Sequence, residues 1–162
     1  MIKQIYKDIK QVLKEKITAI RWIDFDIGQL NYEGWKPVSH PFALVDFPGI
    51  TFSNASEQRQ LGSVQVVLTV GFKVYEATHG NVPAINEEKG LEHLDVIGDI
   101  YQALHGKEGD SYSPLVRITE RRLSRADYRV YQLVFMTNFD DRSDMVSKEA
   151  PETMPSFKLT PA

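Results

Sequence analysis

The feature of this sequence that most restricts its fold is a long alternation of apolar and polar side chains between residues 63 and 77. Six large apolar side chains recur there at every second position: Val64, Val66, Leu68, Val70, Phe72 and Val74. A period of two is typical of a β-strand that buries one face. Most strands run about five or six residues, so this segment predicts the dominant strand of a sheet. Gly71 predicts a bend or bulge within that strand.

Four shorter segments complete the predicted sheet. They have the same apolar character and lie at residues 21–27, 42–47, 115–123 and 128–139. Gly28 and the Pro48-Gly49 pair are expected to end the first two strands, because both residue types interrupt regular structure. A hairpin turn at residues 124–127 is expected between the last two strands. Residues 54–62 are polar and predict a loop or a short helical turn.

Two further segments show the three- and four-residue spacing of an amphipathic helix. In residues 2–17 the apolar positions are Ile2, Ile5, Ile9, Val12, Leu13 and Ile17. In residues 91–104 they are Leu91, Leu94, Ile97, Ile100, Tyr101 and Leu104, and Gly106 follows at the position of a C-terminal cap. The order of elements predicts an α+β fold, with an antiparallel or mixed sheet of about five strands covered by two helices.

The apolar periodicity stops at residue 139, and three prolines follow at positions 151, 155 and 161. We therefore expect a single domain over residues 1–139. Residues 140–162 are expected to form an extended tail that is disordered unless a partner holds it.

Composition excludes several classes of chemistry. The 162 residues include no cysteine, which excludes disulfides, thiolate zinc sites and thiol nucleophiles and suits a reducing cytoplasm. The net charge of −3 argues against tight, sequence-independent binding to nucleic acid.

The N-terminus is too charged for a signal peptide, and no apolar run approaches the roughly 18 residues needed to cross a bilayer. The sequence has no Gly-x-Ser-x-Gly motif, and its four histidines lack metal-binding spacing. We expect a soluble protein without catalytic residues, bound metal or cofactor.

One pair of carboxylates leaves a catalytic alternative open. Asp24 and Asp26 are two residues apart, so on a strand they would face the same side about 7 Å apart. With Asp46 from a neighbouring strand they could hold a divalent cation, as in a metal-dependent enzyme. The simpler interpretation is that they are polar positions on the solvated face of an amphipathic strand.

A second cluster of charge lies in the predicted C-terminal hairpin. Five arginines fall within thirteen positions: Arg117, Arg121, Arg122, Arg125 and Arg129. With nearby tyrosines they could form a nucleic-acid-binding ribbon. The acidic residues Glu120 and Asp127 dilute that charge, and arginine is also favoured at protein–protein interfaces. Contact between subunits is therefore the preferred interpretation, and nucleic-acid binding is the alternative.

The order of these elements resembles that of tail-terminator (tail-completion) proteins of long-tailed bacteriophages over about residues 1–140. The resemblance is carried by Trp22-Ile23-Asp24-Phe25-Asp26-x-Gly28-Gln29-Leu30, by Pro41-Phe42-Ala43-Leu44-Val45-Asp46 and by the Leu104-His105-Gly106 turn after the second helix. The first two motifs look like those of phage or prophage tail proteins from Bacteroidetes-type genomes.

The resemblance implies a structural role without enzymatic activity. Such subunits form a ring, usually a hexamer, at the head-proximal end of the tail tube. That ring ends polymerisation of the tube protein and provides a surface for the head–tail connector. The implied partners are other copies of this chain, the tube protein and the connector, with no membrane and with DNA only passing through the lumen. The implied location is the virion tail, and the host cytoplasm during assembly. The arginine hairpin is expected to meet the Asp24 and Asp26 face of the next subunit.

Overall fold

The computed structural model describes residues 1–32, 34–56, 59–73, 83–125 and 127–141. It confirms the α+β class with two helices and a mixed five-stranded sheet. The helices are α1 (Ile2–Lys16) and α2 (Ala84–Leu104). The strands are β1 (Trp22–Phe25), β2 (Phe42–Ser56), β3 (Arg59–Lys73), β4 (Val116–Leu123) and β5 (Tyr128–Asp141). Neither helix of this described part is long and apolar enough to span a membrane.

The strands lie in the order β1-β2-β3-β5-β4. The strand β1 runs parallel to β2, and every other neighbouring pair is antiparallel. The first and the fourth strand in the chain therefore form the two opposite edges of the sheet. These two edge strands run in opposite directions.

Both helices cover the same face of the sheet. The alternating apolar side chains of β3, from Val64 to Phe72, are buried on this face. Val74 lies outside the described residues. Helix α1 contributes Ile5, Ile9 and Leu13 to this core, and α2 contributes Ile97, Ile100 and Leu104. The core thus forms where the period-two pattern of the strands meets the helical pattern of both helices.

A smaller apolar cluster lies on the opposite face, at the end of the sheet where β2 begins. Phe42 and Leu44 of β2 pack there with Leu30 and Val130. Trp22 and Trp35 pack against this cluster. The segment between β1 and β2 is therefore part of the packing on this face, although its sequence indicates only a loop.

Several predicted element boundaries are wrong. Strand β2 continues past Pro48-Gly49 to Ser56 because a shift in register between Asp46 and Gly49 absorbs the proline, which cannot donate to a ladder. Most of residues 54–62 are consequently strand rather than loop. The first strand is shorter than predicted and ends at Phe25, because Asp26 already belongs to a turn around Gly28, whose φ is +78°.

Further predictions about β3, α2 and β5 are also wrong. Gly71 causes no bulge, since the pairing of β3 with β5 runs through it without a shift from Gln60 to Lys73. Helix α2 begins at Ala84, before the predicted start at residue 91, and the side chains of Leu91 and Leu94 are 37% and 48% exposed instead of buried. At the other end β5 extends to Asp141, so the regular structure passes the predicted limit at residue 139. The rest of the predicted tail, residues 142–162, lies outside the described residues.

Candidate functional site

The predicted acidic residues lie at one edge of the sheet. Asp24 belongs to the edge strand β1, where its carboxylate is exposed and accepts a hydrogen bond from the Phe25 amide at 2.8 Å. Asp26 follows the strand, and its carboxylate accepts a hydrogen bond from the Gly28 amide at 2.9 Å. The two carboxylates are therefore held by their own local backbone, and only Asp24 lies on the strand.

The geometry of these carboxylates does not favour the metal-site alternative. Asp46 also bonds locally, since its carboxylate accepts a hydrogen bond from the Phe47 amide at 2.7 Å. Within the described ranges, no three histidine, aspartate or glutamate side chains are grouped closely enough to hold a metal ion. Asp24, Asp26 and Asp46 thus behave as separate polar residues, each of which accepts a hydrogen bond from its own local backbone.

The five predicted arginines do not form one patch. Arg117 pairs with Glu120 at 2.7 Å, and its guanidinium lies 3.7 Å from the centre of the Tyr101 ring of α2.

Arg125 binds both carboxylate oxygens of Asp127 at 2.8 Å. This hydrogen bonding lowers the pKa of Asp127 and raises the pKa of Arg125. The guanidinium of Arg125 also donates to the Leu30 carbonyl, so it ties the hairpin tip to the segment between β1 and β2. The side chains of Arg117 and Arg125 are therefore engaged within their own subunit.

The remaining arginines separate onto the two faces of the sheet. Arg121 lies on the face away from the helices, where its guanidinium donates to the Gln132 amide oxygen at 2.8 and 2.6 Å. Arg122 lies on the helix side, next to Tyr131, and its exposed side chain forms no ion pair with the described residues. Arg129 also points to the helix side, where it donates to the Gly90 carbonyl of α2 at 2.7 Å.

Asp24 and Arg121 occupy the two ends of one row of paired residues. The register places Asp24 beside Leu44, Leu44 beside Thr69, Thr69 beside Gln132, and Gln132 beside Arg121. Since each residue lies directly opposite the next, all five side chains are on the same face of the sheet. The backbones of Asp24 and Arg121 therefore lie at the same level on opposite edges, four strand spacings or roughly 19 Å apart.

A cavity of about 480 Å³ lies at the end of the sheet where β3 ends and β5 begins. It is called the cationic cavity here, because four cationic side chains line it: Arg21, Lys73, Lys89 and Arg129. His40 and His93 also line the cavity, and among the described lining residues Glu92 contributes a carboxylate. No motif predicted this cavity, since its residues come from segments that are far apart in the sequence.

His93 organises one wall of the cationic cavity. The Nδ1 atom of its ring lies 2.9 Å from the Gly90 carbonyl oxygen, and the Nε2 atom lies 3.1 Å from the Tyr131 hydroxyl oxygen. Burial lowers the pKa of His93, and the nearby charge of Arg129 lowers it further. The imidazole is thus a hydrogen-bonded wall residue.

The opposite end of the sheet carries acidic side chains. A groove there, called the acidic groove here, is lined by Glu108, Asp110 and Asp140, of which Asp140 pairs with Arg59 at 2.8 Å. The half-exposed side chains of Phe52 and Leu61 lie beside it. Leu61, near the start of β3, lines the acidic groove, and Lys73, at the end of β3, lines the cationic cavity. The two sites are therefore separated by nearly the length of that strand.

Comparisons with known proteins find similarity among solved structures. No family model matches the chain, and no curated protein is similar to it in sequence. Among solved structures, a chain from the virion of a native gene transfer agent particle has a similar fold, with a TM-score of 0.51. The match covers 82% of this chain and 92% of that chain at 14% sequence identity. At this identity the comparison shows a shared fold.

Proposed function

We propose that this chain is a structural protein of a phage-like virion, and that it acts there as a tail-terminator subunit without enzymatic activity. Two observations support the virion role. The fold is similar to that of a chain in a gene transfer agent virion, and the sequence motifs resemble those of tail-terminator proteins. The observation that carries the ring-forming role is the row of paired residues that ends in Asp24 on one edge and Arg121 on the other.

A ring needs an interface between two different surfaces that closes on itself. The edges of this sheet are two such surfaces, because β1 carries Asp24 and β4 carries more arginine than glutamate. Edge strands also present unpaired backbone groups to a neighbour. Since β1 and β4 run in opposite directions, an edge-to-edge contact between subunits would be antiparallel. It would bring Arg121 of one subunit towards Asp24 of the next.

The proposed ring, with six subunits as the resemblance implies, would lie at the head-proximal end of the tail tube. It would stop polymerisation of the tube protein and receive the head–tail connector. The acidic groove and the cationic cavity give the two ends of the sheet different chemistry, which suits a ring with two different partners. A chain with a net charge of −3 would also not hold the DNA that passes through the lumen. Assembly would occur in the host cytoplasm, by a domain that ends with strand β5, and residues 142–162 would order on contact with a neighbour.

Charge reversal at the two ends of the row tests this proposal. Arg121→Glu and Asp24→Arg should each prevent ring assembly, because each places like charges across the interface and leaves a partner uncompensated. Combining both changes in one chain restores opposite charges around the whole ring, so the double variant should assemble again. Sedimentation of the purified chain, alone and with tube protein, measures the result.

Two variants serve as matched controls. Arg122→Glu changes the neighbouring residue, which faces the other side of the sheet, and should disturb assembly much less than Arg121→Glu. Lys7→Glu makes the same change in net charge at an exposed position of α1. Normal assembly of both single edge variants would contradict the proposed interface. Binding of duplex DNA at physiological salt that is lost in Arg121→Glu would instead favour the nucleic-acid alternative.

A further inference from the structure

The cationic cavity concentrates positive charge in a chain that is acidic as a whole. Among the described residues that line it, Arg21, Lys73, Lys89 and Arg129 are cationic and Glu92 is acidic, whereas the full sequence has a net charge of −3. The cations come from the segment before β1, the end of β3, helix α2 and the start of β5. A carboxylate placed between Lys89 and Arg129 would be attracted to both charges.

The walls of the cationic cavity are held in place by hydrogen bonds. Arg129 donates to the Gly90 carbonyl through Nη1, at 2.7 Å, and so keeps its guanidinium against α2. His93 is fixed between Gly90 and Tyr131. A guanidinium that is already positioned loses less conformational freedom when it binds a carboxylate.

Apolar surface lies beside these charges. Phe72 lines the cavity and is only 6% exposed, and Ala19, Pro41 and Val96 line it as well. A volume of about 480 Å³ accommodates one or two side chains or a short peptide segment. It does not provide the extended track of cations that a nucleic-acid backbone requires.

We propose that the cationic cavity is a docking site for a segment of a partner protein in which a carboxylate side chain is adjacent to an apolar side chain. The carboxylate would bind Arg129 and Lys89, and the apolar side chain would pack on Phe72. This occupant follows from charge complementarity together with the apolar wall. The inference goes beyond ring formation, because the cavity lies at the end of the sheet and the proposed ring contacts lie at its edges.

Calorimetric titration of the full chain with three probes tests this inference. The probes are an acetylated tetrapeptide of alternating glutamate and leucine, the same peptide with glutamine in place of glutamate, and inorganic phosphate. The glutamate peptide should bind saturably, and the glutamine peptide and phosphate should each bind at least about tenfold more weakly. Lys89→Gln and Arg129→Gln should each weaken binding of the glutamate peptide about three- to tenfold, since each removes one nearby charge.

The controls separate this site from other causes. Lys89 is exposed on α2, so Lys89→Gln tests the charge without disturbing the buried hydrogen bonds around His93. Lys7→Gln, which removes a charge far from the cavity, should leave peptide binding unchanged. Arg121→Glu should also bind the peptide normally even where it blocks assembly, so the two proposals can fail independently.

Four results would overturn the inference. They are equal binding of the glutamine peptide, tighter binding of phosphate, no saturable binding of the glutamate peptide, and loss of self-association in Arg129→Gln. The last result would identify a second copy of this chain as the occupant.

Discussion

Replacing Gly71 by alanine tests how tightly the smaller apolar cluster is packed. Gly71 lies directly opposite Phe42 in the pairing of β2 with β3. A methyl group at Gly71 would lie 2.1 Å from Cζ of the Phe42 ring, 2.4 Å from Cε1 and 2.8 Å from Cε2. Carbon atoms normally approach to about 3.5–4.0 Å, so the Phe42 ring must move by more than about 1 Å to accept the methyl group.

The Phe42 ring has little room to move. It is completely buried, and its centre lies 5.6 Å from that of Trp35, 5.8 Å from that of Tyr128 and 6.3 Å from that of Trp22. Overpacking a core of this kind costs about 1–3 kcal/mol, and moving a phenylalanine into solvent costs about 1.5–3 kcal/mol. Gly71→Ala should therefore lower the free energy of unfolding by about 2–3 kcal/mol. For a domain of this size that corresponds to a decrease in Tm of about 4–12 °C.

Thermal and urea unfolding, followed by circular dichroism, measure this change. Gly98→Ala is the matched control, because Gly98 lies in α2 and no atom lies within 4 Å of its added methyl group. It should raise the free energy of unfolding by about 0.5–1 kcal/mol, since alanine favours a helix over glycine. Adding Phe42→Leu to Gly71→Ala should cost less than the sum of the two single changes. A Gly71→Ala variant at least as stable as the original chain would refute the reasoning, as would strict additivity in the double variant.

Three further predictions concern pH, metal ions and the C-terminal segment. Because burial and Arg129 lower the pKa of His93 below its usual 6.5, the unfolded chain binds a proton more readily than the folded one, and stability should decrease as the pH falls below about 6.5. Urea unfolding between about pH 7.5 and about pH 5 should show a weaker dependence in His93→Gln, and an identical dependence would contradict this. Calorimetric titration with magnesium, manganese or calcium should reveal no site tighter than about millimolar; a micromolar site that Asp24→Asn removes would restore the metal-enzyme alternative. Limited proteolysis of the free subunit should remove residues 142–162 and leave the domain intact, because the apolar side chains of this segment are too dispersed for a core of their own. Resistance of the segment in a proven monomer would contradict that expectation.

The class of the fold can be predicted from the sequence, because the relevant signals are local. The alternation from Val64 to Phe72 indicates a strand whatever it pairs with, and the spacing from Ile5 to Leu13 indicates a helix whatever it covers. Because Arg121 and Arg122 are adjacent in a predicted strand, the sequence also predicts that they lie on opposite faces of β4. The sequence does not show whether a proline ends a strand or lies in a bulge. Only the register of the partner strand shows that Pro48 lies in a bulge of β2.

Which distant residues meet follows from the tertiary structure and not from local sequence patterns. The order of strands placed Asp24 and Arg121 in one row on opposite edges, and it separated five arginines that are close in the sequence. It also showed that Gly71 makes room for Phe42 and brought the cations of the cationic cavity together from four elements. The physical reason is that the pairing of strands depends on contacts between segments far apart in the chain, and the periodicity of one segment carries no information about its partner.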